Sequence, residues 1–179
     1  MPPAKVLVLS CIDPRFLGPL EIFLSTYGEI RGQYDHFILA GSSLALTVVP
    51  NPPTTLSLAA WKTTFTEHVN VAFGLHDFTE IWAFEHLGCG AYEALSEADT
   101  EANHINFLTR MKDIYMPTLT LTPTLKFKGF LMKLDGSIYK VVDSGGGIIL
   151  NEPGNNALLI SMLLVGLLVL ALVAIKFIR

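Results

Sequence analysis

Apolar residues along this chain follow two rhythms. Val6-Leu7-Val8-Leu9 and Ile81-Trp82-Ala83-Phe84 are unbroken apolar runs, too short for a helix. Apolar on alternate and intervening positions alike, they suit strands covered on both faces. Residues 5–10, 35–40 and 80–85 are read as such strands, parallel to one another. Between them the period changes. Residues 19–27 (PLEIFLSTY) are apolar at helical spacing and stop at Gly28, a helix-ending residue. Pro50 opens a loop over 50–53. Leu58, Trp61, Phe65, Val69 and Ala72 then recur every three or four positions, predicting one long amphipathic helix over 54–75.

Residues 92–116 are read as mostly helical. Asp99 and Glu101 near the start of the second half, and Arg110 and Lys112 near its end, suit the helix dipole. Asp135-Gly136 separates two further apolar segments, 125–134 and 137–142, and is a hairpin signal. Strands alternating with helices and then a closing hairpin predict an α/β fold. Its sheet is largely parallel, flanked by helices, with an antiparallel edge.

One more run fits neither rhythm. Residues 157–175 (ALLISMLLVGLLVLALVAI) carry no charge, and as a helix they extend about 28 Å, enough for a bilayer core. A buried helix of that length would keep a polar face. The organisation expected is a domain over 1–143, a Gly/Pro/Asn linker over 144–156, a transmembrane helix over 157–175 and a short basic tail, 176–179. The first apolar run is too short for a signal peptide, so a single-pass C-terminal anchor in the lipid bilayer is expected.

Composition narrows the function. Lys176 and Arg179 account for two of the 12 basic residues, so the remaining ten face 16 acidic ones. That balance argues against nucleic acid, which asks for a basic face. Two cysteines make no disulfide framework, and a reducing compartment is the default. The domain is therefore expected to face the cytoplasm or another reducing interior. Lys176 and Arg179 beyond the span pull the other way under the positive-inside rule, but two charges weigh less than the thiol chemistry.

Both cysteines follow predicted strands. Cys11 opens C-x-D-x-R with Asp13 and Arg15, and His86 and Cys89 form H-x-x-C after the third strand. In open α/β sheets, ligands collect beyond the carboxyl ends of strands. Two thiolates and an imidazole there suit Zn²⁺, with a fourth position left for water or substrate. Buried cysteines are often inert, and Asp13–Arg15 alone would read as an ordinary ion pair. The convergence of both motifs argues otherwise. His36, His68, His76 and His104 are candidate proton carriers, and residues 42–45 are a candidate pocket lining or else a plain helix start.

C-x-D-x-R followed downstream by H-x-x-C-G, each after a strand, resembles the β-class carbonic anhydrases over residues 5–142. Ala40-Gly41 after the second strand and the G-x-x-x-x-x-D-G hairpin from Gly129 extend the likeness. The resemblance implies Cys11, His86 and Cys89 as zinc ligands. It also implies Asp13 as the orienting carboxylate and Arg15 as its partner, which stops Asp13 from closing on the metal. The implied reaction is reversible hydration of CO₂ to bicarbonate by zinc-bound hydroxide, in a homodimer or higher homo-oligomer. Ile38-Leu39 stands where that family has Arg-Asn, and Pro14 replaces a small residue and should hold Asp13 extended. No helical arm is expected ahead of a motif beginning at residue 11, and a C-terminal span is not a usual family feature. The same ligands suit two other roles: a zinc-binding assembly module of a membrane complex, and a hydrolase of another small heterocumulene such as carbon disulfide.

Overall fold

The computed structural model describes residues 4–51, 53–120 and 125–145. In chain order the elements are β1 (Val6–Ser10), α1 (Leu17–Thr26), β2 (Tyr34–Ile38), α2 (Ser43–Thr47), α3 (Leu58–His76), β3 (Glu80–His86), α4 (Gly90–Ala94), α5 (Glu101–Arg110), β4 (Lys126–Met132) and β5 (Ile138–Asp143). The strands form one sheet in the order β2-β1-β3-β4-β5. The first three pairings are parallel and β4–β5 is antiparallel, as the alternating rhythm predicts.

The unbroken apolar strands are explained by what covers them. Leu7, Leu9, Ile81, Ala83, Phe127 and Leu131 face a cluster built with Phe65, Val69, Leu108 and Met111 from the α3 and α5 side. Val6, Val8, Trp82, Phe84, Phe130 and Met132 face Leu20, Phe23 and Leu24 of α1. The alternation of side chains along each strand sends neighbours to opposite layers, so every position needs an apolar residue. Gly129 in β4 sits where a Cβ would meet Val142 Cβ at 3.1 Å and Leu108 Cβ at 3.2 Å, so α5 and β5 close tightly over it.

Several boundaries differ from the sequence reading, and three have a visible local cause. The long helix begins at Leu58, not 54. The Thr54 hydroxyl accepts the Leu56 N–H at 3.1 Å, a local turn that competes with helix after the prolines. The helical stretch 92–116 is broken at 95–100, where Ser96 takes φ +58° and Thr100 caps α5 by accepting the Asn103 N–H. The strand expected to 40 ends at Ile38, because Gly41 and Ser42 turn the chain with φ of +76° and +46°.

Ser144, the first residue of the expected linker, is still tied to the sheet through its hydroxyl, which accepts the Phe127 N–H at 2.8 Å. Among the described residues no helix is long and apolar enough to cross a membrane. The expected span 157–175 and tail 176–179 lie outside the described residues.

Candidate metal centre

β1 and β3 are neighbours, so the residues just beyond their carboxyl ends are brought together. Cys11 follows β1, His86 is the last residue of β3, and Cys89 precedes α4. Their ligand atoms all lie within 4.8 Å of one another, and the two sulfurs are 3.8 Å apart.

The histidine is set as a ligand. His86 Nδ1 lies 3.1 Å from the Leu87 carbonyl, which can only accept, so Nδ1 carries the proton. Nε2 is left with its lone pair, buried and without a hydrogen-bond partner. An orphaned ring nitrogen beside two sulfurs is the arrangement a bound metal would satisfy. The ring is held against Phe16 at a centroid distance of 4.2 Å.

The thiols are electronically unequal. The hydrogen bond with Cys89 lowers the Cys11 thiol to about 4, while the same contact with Cys11, together with burial, pushes Cys89 up. The Gly41 N–H, 3.4 Å from the Cys11 sulfur, adds to the stabilisation of its thiolate. The pair thus presents a thiolate and a shared proton, which a soft divalent cation would displace.

Asp13 is extended (φ −65°, ψ 117°), as Pro14 after it requires. Arg15 grips it with Nε at 2.9 Å from Oδ1 and a terminal nitrogen at 2.6 Å from Oδ2, while the Arg15 N–H reaches Oδ1 at 3.0 Å. The Arg15 side chain is the main reason the Asp13 carboxyl falls to about 2, so it is ionised throughout the physiological range. Its Oδ2 lies 4.0 Å from His86 Nε2, beside the ligands but not among them.

A cleft of about 430 Å³ opens over Cys11, Asp13 and Cys89. Its other walls are Ile12, Pro14, Ala40, Gly90, Ala91 and Ala94, so a small apolar molecule would meet methyl groups on one side and the sulfurs on the other. Residues 42–45 are not part of this wall; they are buried at and within α2. None of His36, His68, His76 and His104 lines the cleft. His36 bonds the Ser10 hydroxyl, His68 packs on Phe37, and His76 pairs with Asp35.

His104 belongs to a group the sequence reading missed. It is fully buried, with Nδ1 3.1 Å from Glu85 Oε2 and Nε2 2.7 Å from Asp99 Oδ1. The signal was present: Glu85 is an acid directly after the apolar run Ile81–Phe84 of a buried strand, and a buried carboxylate has to be partnered. Of the departures noted above, Leu39 packs on the main core and Ile38 is exposed, so neither supplies a polar group to the site.

No model of a known protein family matches the chain. An uncharacterized protein of Rickettsia bellii (strain RML369-C) is 30% identical over 148 residues, which span 78% of this chain and 83% of that protein. A carbonic anhydrase from Glaciozyma antarctica superposes with a TM-score of 0.50 at 15% identity, covering 79% of this chain and 85% of its own. A β-carbonic anhydrase from Trichomonas vaginalis gives 0.47 at 13%, covering 79% and 84%. The chain therefore belongs to the same family as the Rickettsia bellii protein, on the fold of the Glaciozyma antarctica carbonic anhydrase.

Proposed function

We propose that this protein is a membrane-anchored zinc carbonic anhydrase that interconverts CO₂ and bicarbonate. One observation carries the reading: Cys11, His86 and Cys89 converge with an unpaired ring nitrogen, 4.0 Å from a carboxylate that Arg15 holds. Zinc there would act as a Lewis acid that lowers the pKa of water, to about 7 in three-histidine carbonic anhydrase, the known reference case.

The chain's own residues supply the rest. Cys11, His86 and Cys89 would hold the ion and leave one position open to the cleft. Asp13, kept ionised by Arg15, accepts a hydrogen bond from the attacking water and orients its lone pair. Arg15 occupies both carboxylate oxygens and so keeps Asp13 from becoming a ligand itself. Ile12, Ala40, Ala91 and Ala94 offer CO₂ an apolar wall that competes little with water for hydrogen bonds.

Asp13→Asn tests the division of labour. The variant should keep about one zinc per chain and lose roughly 10–100-fold in CO₂ hydration, the usual cost of removing a supporting polar group beside a metal. Parent-like hydration with full zinc would reduce Asp13 to a structural residue.

The reading includes attachment to a bilayer through residues 157–175. The domain then lies on the reducing side, because oxidation of Cys11 or Cys89 would destroy the site. It also includes self-association. Ile22 on α1, Tyr27 at its C-terminal end, and Val71 and Leu75 on α3 stay exposed, while the other faces of both helices fill the core. Sedimentation of the detergent-solubilised chain should give a dimer or larger at micromolar concentration; a monomer would remove this part of the reading.

A further inference from the structure

Glu85 precedes His86 in β3, so its side chain leaves the sheet on the opposite face, toward α2 and α5. There it is buried and fully partnered. It accepts from the Ser43 hydroxyl, from the Leu44 N–H at 3.0 Å and from the Tyr92 hydroxyl at 3.2 Å, and it faces His104 Nδ1. His104 hands the connection to Asp99, whose second oxygen accepts the Gly88 N–H at 2.8 Å. The Gly88 carbonyl in turn accepts from Arg15 at 2.8 Å, through the same nitrogen that holds Asp13. A polar chain thus runs from the interior to the one arginine beside the ligands.

That termination is what gives the chain a consequence. Arg15 is exposed over half its side chain, so packing does not fix it. Beyond Asp13, it reaches the Gly88 carbonyl and the face of Phe16 at 5.5 Å among the described residues. Gly88 itself has φ +74°, its N–H and carbonyl held by Asp99 and Arg15, with Leu134 close against it. Asp13 Oδ2 is already 4.0 Å from the His86 nitrogen that points into the cluster. Released from Arg15, that carboxylate would be free to turn toward an ion held by Cys11, His86 and Cys89.

We propose that Glu85, His104 and Asp99 form a strut that, through Gly88, holds Arg15 on Asp13 and keeps that carboxylate out of the metal's coordination sphere. The inference rests on the metal reading above. These are positioning residues: none reaches the cleft, and their effect passes through Arg15.

The test uses the full chain loaded with cobalt in place of zinc and titrated with azide, followed by its visible spectrum. In the parent, azide enters the open position and shifts the spectrum. Asp99→Ala, at the partly exposed end of the strut, should lose at least about tenfold in azide affinity because Asp13 takes that position. Adding Asp13→Asn should restore the response. His104→Gln, cutting the strut one step further in, should behave the same way. A parent-like titration for Asp99→Ala overturns the proposal. So does a loss that persists with Asp13→Asn, which would mean general distortion. A parent that binds cobalt but ignores azide has no open position to protect and overturns it as well. A parent that binds no cobalt overturns the metal reading itself.

Discussion

Cys11→Ala and Cys89→Ala should each leave the protein without stoichiometric zinc and bring CO₂ hydration to the uncatalysed rate. Three ligand atoms within 4.8 Å of one another would hold an ion with nothing to spare. Removing one leaves two donors, and Asp13 cannot replace a thiolate while Arg15 grips both its oxygens. The loss should exceed the roughly 10–100-fold expected at Asp13, since a supporting residue tunes a site whereas a ligand makes it. The fold should survive, because the two large apolar clusters that cover the sheet include neither cysteine, and Cys89 belongs only to a smaller third cluster with Leu44, Tyr92 and Phe107. Metal analysis and circular dichroism on the same sample check both halves. Zinc retained in the double variant Cys11→Ala, Cys89→Ala would refute the ligand assignment.

Glu85→Ala should have the largest effect on stability, about 3–5 kcal/mol, the range for removing one member of a buried charged network. The substitution orphans the Ser43 and Tyr92 hydroxyls, the Leu44 N–H and one nitrogen of His104 together. It also leaves a void between β3 and the helices α2, α4 and α5. Glu85→Gln keeps the shape and should cost less, near the 1–3 kcal/mol of an imperfectly satisfied polar group. Urea unfolding of the two variants measures the difference. Equal and small losses in both would show that the network contributes little to the fold.

How much of this could be read in advance follows from the kind of signal each part carries. Buried strands announce themselves because both faces must be apolar, and the pattern of Val6–Ser10 and Glu80–His86 is hard to mistake. Cys11, His86 and Cys89 were legible because ligand chemistry is restricted to a few residue types, and strand order did the rest. Asp13 and Arg15 followed from their spacing to Cys11. The helix boundaries were less legible. The local turn at Thr54 and the left-handed Ser96 depend on short-range hydrogen bonds that hydrophobic periodicity does not encode. Of the two readings left open for residues 42–45, the structure takes the helix start: α2 turns them into the interior and leaves Ala40, Ala91 and Ala94 at the opening of the cleft.

Of the strut only Glu85 carried a signal, and its partners did not. Glu85, Asp99 and His104 are separated by up to 19 residues, and only the packing of α5 beside β3 joins them. Nothing in the sequence marks His104 from the other histidines. In the structure it is the one with a carboxylate oxygen at each ring nitrogen among the described residues.

The most direct test of the account is stopped-flow CO₂ hydration by the purified chain, with zinc content determined on the same sample. About one zinc per chain is expected, with hydration well above the uncatalysed rate, lost on chelation and regained on adding zinc. Full zinc loading with hydration no faster than buffer would contradict it, leaving a metal centre with another role.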